Sequence, residues 1–287
     1  MVAMYLAIKG IGVVMGWVLF CWVTIGMAKQ PNMVLFLADD LSYHDHGCYG
    51  NSEVRTPFID QLAVEGMRFE YCFNSDPMCA PTRMSLYTGI HPVRNGAHPN
   101  HSRVYEDIKS MAHYLRPLGY RVGLMGKRHE APAANFPFEF LGGQHGDKGE
   151  GMDLDMALFD RFVESSGDQP WCLVVASNQT HQPWTRGDAS EYDADSILLP
   201  PYLVDTPEVR ESMTRYYAEI NYLDKQVGYC MGYLRTHGLS DDTVFLYLSE
   251  QGSNFPHCKW TCYDTGLRSA AVLRWPNVVT AGVVSSV

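Results

Sequence analysis

Six short stretches of this 287-residue chain carry side chains that do chemistry: Asp39-Asp40, Cys79-Ala80-Pro81-Thr82-Arg83, Lys127-Arg128-His129, His181, Glu250-Gln251 and Lys259. The neighbouring carboxylates at 39 and 40 repel unless a cation neutralises them. With Glu250 and Gln251 they form an all-oxygen donor set, which suits a hard cation such as Ca2+ or Mg2+. Cys79 precedes Pro81, whose fixed φ suits a first helical turn, so the thiol falls at or just before a helix N-terminus. Orphan N–H groups and the dipole favour negative charge there, which would activate a thiolate or hold an anion. Arg83, one turn on, returns to the same face with a fixed positive fork. Lys127 and His129 point one way in extended chain, a charge and a proton carrier for one oxyanion.

Singly, each has a plainer role. The Asp pair can cap a turn, Lys127 and His129 can sit on a solvated turn, and His181 can be a loop histidine. Lys259 beside Trp260 can lie along the surface. Their placement argues otherwise. Apolar runs at 33–37, 121–125, 171–176 and 243–248 read as strands, buried on both faces where the run is unbroken. Asp39-Asp40, Lys127/His129, Asn178/Thr180/His181 and Glu250-Gln251 each follow the C-terminal end of one of them. A last strand is expected at 269–273. In open α/β sheets that edge is where ligands bind.

Helices are expected between the strands. Thr56 reads as an N-cap before Pro57, opening a helix through Leu62 that stops near Gly66. Others are expected at 110–118, with Gly119 as the stop, and at 152–162. The longest, 207–236, carries one apolar stripe: Val209, Met213, Tyr216, Ile220, Leu223, Val227, Cys230 and Leu234. The Gly-, Pro- and Phe-rich stretch 131–151 reads as loop. Strands alternating with helices define an α/β fold with a largely parallel central sheet flanked by helices.

Hydrophobic residues make up 46% and charged residues 19%, a globular composition large enough for a substantial core. A net charge of −10 excludes a nucleic-acid surface, and an anionic ligand would need a local basic pocket. Lys9, an apolar run at 11–25 and Gly26-Met27-Ala28 have the order of a secretory signal peptide, 1–28, cleaved after Ala28. Uncleaved, the same run is a membrane anchor. Export permits disulfides among Cys48, Cys72, Cys172, Cys230, Cys258 and Cys262, whose pairing the sequence leaves open. Cys172, inside an apolar run, reads as a buried thiol. Asn100-His101-Ser102 and Asn178-Gln179-Thr180 are glycosylation sequons.

Cys79-x-Pro81-x-Arg83 with Thr88-Gly89 resembles the signature of the type I, formylglycine-dependent sulfatases of the alkaline-phosphatase-like superfamily. The resemblance spans about 31–276. It implies that Asp39, Asp40, Glu250 and Gln251, with the residue derived from Cys79, hold Ca2+ or Mg2+, and that a maturation enzyme converts Cys79 to formylglycine. Arg83 matches the arginine holding that residue. Gly126-Lys127-Arg128-His129 looks like the family's Gly-Lys-Trp-His, implying Lys127 at the sulfate and His129 at the formylglycine hydroxyl. His181 matches the histidine near the leaving oxygen and Lys259 the second sulfate-contacting lysine. The implied activity is hydrolysis of a sulfate ester or sulfamate of a sugar, by an exported enzyme.

Three departures stand out. Thr82 replaces the usual serine, and Glu250-Gln251 stands where most members have Asp followed by Asn or His. The chain also stops at Val287, so 29–287 reads as a catalytic domain lacking the family's smaller C-terminal subdomain. Two other readings follow: a phosphate or phosphonate ester hydrolase on the same fold, or a truncated, inactive glycan-binding protein. Oligomeric state is left open.

Overall fold

The computed structural model describes residues 29–143 and 153–286. The expected signal peptide 1–28, the start of the expected helix at Met152 and the end at Val287 lie outside the described residues. Eight strands are described: β1 (Asn32–Leu37), β2 (Met67–Phe69), β3 (Arg121–Gly126), β4 (Glu139–Gly142), β5 (Trp171–Ala176), β6 (Thr243–Leu248), β7 (Ala271–Arg274) and β8 (Val283–Ser285). The helices are α1 (Pro57–Glu65), α2 (Cys79–Thr88), α3 (Pro92–Asn95), α4 (Met111–Leu115), α5 (Ala157–Ser166), α6 (Pro207–Thr236) and α7 (Asp264–Leu267).

The strands form one sheet in the order β4-β3-β5-β1-β6-β7-β2-β8. From β4 to β6 every pairing is parallel. β7 runs antiparallel to both β6 and β2, and β8 pairs parallel with β2. Alternate residues of β1 serve opposite faces: Val34 and Phe36 pack with the α6 stripe, Leu35 and Leu37 with Ala80, Met84 and Tyr87 of α2. The sheet is therefore covered on both sides, as unbroken apolar strands require. Seven of the eight stripe residues on α6 are buried and Val209 is half-buried.

Four local expectations need correction. The stretch expected to be loop contains β4, an edge strand whose first two residues are exposed and whose register with β3 shifts between Leu124 and Met125. β2 and β8 are three residues long, and long-range pairing alone makes them strands. α5 starts at Ala157, and 153–156 are not helical, because the Asp153 and Asp155 carboxylates accept from Leu154 N (2.8 Å) and Ala157 N (3.1 Å) and hold that stretch in local turns. Thr56 precedes α1 but does not cap it. Its hydroxyl accepts from Gly47 N at 2.8 Å and donates to Asp60, while Asp224 of α6 takes the helix's free N–H groups. The 110–118 segment is α-helical only to Leu115 and tightens into a 3-10 turn around Pro117, which has no N–H to continue it.

Candidate active site

β3, β5, β1 and β6 are neighbours, so the polar residues after their C-terminal ends converge. Successive strand residues point to opposite faces, yet Asp39 and Asp40 reach one pocket, and so do Glu250 and Gln251. The left-handed turns at Asp40 (φ 58°) and Glu250 (φ 62°) break the alternation. Such φ values are uncommon outside glycine and cluster at functional sites. On β3, Gly126 turns at φ 89°, where a Cβ would collide with the Ala176 carbonyl, and this leads Lys127 inward.

Asp39, Asp40, Arg83, Lys127, Glu250, Gln251 and Lys259 are all buried. Lys127 Nζ lies 2.5 Å from Asp39 Oδ2, and Lys259 Nζ lies 2.7 Å from Asp40 Oδ2. Arg83 reaches Glu250 Oε1 at 2.6 Å, Asp39 Oδ1 at 3.5 Å and the Ala38 carbonyl at 3.3 Å. Gln251 Nε2 donates to Asp40 Oδ1. His181 Nε2 stands 3.6 Å from Asp40 Oδ2, and its Nδ1 is 2.7 Å from the Gln182 carbonyl. Lys259 is thus no surface lysine, and the Asp pair is no solvated cap.

Burial and electrostatics divide the acids. Burial raises Asp39, but Lys127, Arg83 and His181 outweigh it and hold the carboxyl well below its usual range. Glu250 is pushed well above its own range by burial, with Asp39 adding to the effect against Arg83. Asp39, Asp40 and Glu250 each present an oxygen within 4.8 Å of the others. Glu250 Oε2 and Gln251 Oε1 are buried without a hydrogen bond, while Asp39 Oδ1 and Glu250 Oε1 are met by Arg83 alone. Buried oxygens with no donor are costly unless something positive meets them, and the set is all-oxygen. These four residues fit a hard divalent cation.

Cys79 is the first residue of α2, buried, with its Sγ 3.9 Å from Asn100 Oδ1. Burial pushes its thiol up to about 12; Lys127 opposes this, while Asp39, Glu250 and Asp40 reinforce it. Burial and the three carboxylates thus oppose the activation expected from the helix N-terminus and favour the protonated form of the unmodified thiol. Thr82 keeps its hydroxyl engaged, donating to the Asp76 carbonyl at 2.7 Å. His129 lies further out, its Nε2 3.1 Å from His101 Nδ1, and Arg128 pairs with Glu130 at 2.9 Å. Asn74, which donates to the Glu250 carbonyl at 2.5 Å, is not signalled by the sequence, and Asn100 with His101 read there only as a glycosylation sequon. They sit in loops with no periodicity, and only the fold brings them in. Asn178 is buried, which closes its sequon to a glycan. Among the described residues the seven cysteines are free thiols, Cys172 buried as expected.

Residues 31–286 match the sulfatase family profile, and the chain belongs to that family. It is 30% identical to an ulvan-active sulfatase of Formosa agariphila, over 91% of this chain and 52% of that protein. It is 28% identical to human N-sulphoglucosamine sulphohydrolase, over 90% of this chain and 56% of that one. The fold matches the crystal structure of Ps i-CgsB in complex with a neocarrahexaose: TM-score 0.74 at 23% identity, covering 90% of this chain and 68% of that one. The chain spans about half the length of the curated relatives it matches.

Proposed function

We propose that this chain is the catalytic part of an exported sulfatase that hydrolyses a sulfate ester or sulfamate of a saccharide. The observation that carries the reading is the buried pocket in which three carboxylates, three fixed cations and Cys79 meet. With Glu250 ionised as a ligand, three negative and three positive charges cancel, so a bound dication leaves the pocket positive. That reconciles a protein of charge −10 with an anionic substrate.

Asp39, Asp40, Glu250 and Gln251 would hold Ca2+ or Mg2+, which supplies positive charge against the sulfate oxygens, and a formylglycine made from Cys79 would supply the nucleophile. Lys127 and Lys259 bind and orient the sulfate, and their buried ammonium groups act where water does not screen them. Arg83 locks Asp39 and Glu250 in place. His181 donates its Nδ1–H to the Gln182 carbonyl, which orients the ring so that a proton on Nε2 would be placed for the leaving oxygen or nitrogen. His129 takes a proton when sulfate leaves. Its ring is held by His101.

The test is the mass of the tryptic peptide 69–83, from chain exported by a host with the maturation enzyme. An aldehyde in place of the thiol is expected, together with sulfate release from sulfated saccharides. Cys79→Ala should lower that release by more than about 10³-fold. Substantial turnover in Cys79→Ala would sink the mechanism.

A further inference from the structure

We propose that Trp260 is the platform on which the sugar ring bearing the sulfate stacks, and that it gives this site its preference for saccharides. The proposal rests on the sulfatase reading above. Trp260 is 60% exposed, yet it directly follows the buried Lys259. Single exposed aromatics are ordinary, so exposure alone decides nothing. Its setting decides.

The backbone at Trp260 has φ 74°, a conformation in which a bulky residue is a genuine outlier. Two bonds hold it there. Lys259 N donates to the Ser253 carbonyl at 3.0 Å, and Trp260 N donates to the Pro77 carbonyl at 3.1 Å, two residues before Cys79. The backbone that carries the indole is thereby tied to the segment that opens α2. Strained conformations persist where the surroundings over-determine them, and they gather at ligand clamps.

Lys259 connects the ring to the charge cluster. Its Nζ lies 2.7 Å from Asp40 Oδ2 and 5.6 Å from the indole centroid. An anion drawn to that ammonium carries its organic part past the indole. The face of an indole is electronegative and the C–H groups of a pyranose are its electropositive part, so the two are complementary. Stacking also leaves the sugar hydroxyls at the ring edge in water. Tryptophan does this at small entropic cost, having two side-chain torsions.

The test is a binding titration of the Cys79→Ala chain, which cannot turn over, in Ca2+. The probes are inorganic sulfate, N-sulfoglucosamine and a sulfated ulvan disaccharide. Adding Trp260→Ala should weaken both saccharides about tenfold, the size of one good aromatic contact. Inorganic sulfate should weaken far less, and Trp260→Phe should restore most of the saccharide affinity. Equal losses for sulfate and saccharide, or none for the saccharides, would overturn the platform. So would saccharides that bind no tighter than sulfate when Trp260 is intact. If sulfate itself does not bind with Trp260 in place, the anion-pocket reading fails, and the platform falls with it.

Discussion

Two groups of buried acids in this molecule do opposite things. Asp224, on α6, is 1% exposed and accepts from Phe58 N and Ile59 N at 2.8–3.1 Å, with both oxygens engaged. It caps α1 from across the structure, a fixed carboxylate on fixed dipoles. Asp39, Asp40 and Glu250 are buried as deeply, but their side chains are met by the cations of Lys127, Lys259 and Arg83. They face one another, and some of their oxygens have no donor. Burial therefore does not mark a functional acid. The nature of its partners does. Backbone N–H groups saturate a carboxylate that holds a fold; side-chain cations around partly unmet oxygens are what the proposed ion and substrate sites require.

The largest expected effect breaks the comparison on the catalytic side. Asp39→Asn removes one carboxylate oxygen with its negative charge and leaves the buried Lys127 without its counter-charge. Sulfate release from a sulfated saccharide should fall by more than about 10³-fold. Asp224→Asn should keep most of the activity once the protein is folded. Comparable losses in the two variants would mean that the partner rule does not separate them.

Chelation sharpens the same contrast at the level of stability. An ion that binds only the folded state at a hundred times its Kd adds about 2.7 kcal/mol. Exhaustive chelation should therefore lower the melting temperature of the wild-type chain, and Ca2+ should restore it. Asp224→Asn should respond identically from a lower start. Asp39→Asn should not respond at all, and a full Ca2+ response there would remove Asp39 from the ligand set.

Much of this was legible in the sequence, for a physical reason. The strands that position the site are central; β1, β3 and β5 are buried on both faces almost throughout and β6 on one face and half-buried on the other, so their sequences are largely apolar, and each leads into its polar group. β2, β4 and β8 were not legible, because short, partly exposed strands take their structure from partners far away in sequence. The cap of α1 misled in the same way. Thr56 has the right type in the right place, but Asp224, 168 positions on, does the work. Residue types at the site could be read, but their charge states could not. The sequence places Cys79 at a helix N-terminus, where a thiolate is favoured; only the fold adds the burial and the three carboxylates that reverse it.

The smallest expected effect tests the structural acid by itself. Burial raises the Asp224 carboxyl to about 7, against the pull of Ile59 N and Phe58 N. In the unfolded chain an aspartate titrates near ~4. Between those values the folded state holds a proton that the unfolded state has released, so stability falls as pH rises. The contribution is complete below about pH 4 and lost as pH passes through about 7. Glu219, also raised to about 7 by burial, acts with the same sign. Asp224→Asn cannot titrate at this position, so its stability should decline less steeply from about pH 5 to 8, by on the order of 1 kcal/mol, with the Glu219 slope remaining. Denaturant titrations of both proteins at several pH values measure this. Parallel curves would show that the Asp224 carboxylate is as comfortable charged as neutral, and that its N–H partners alone offset its burial.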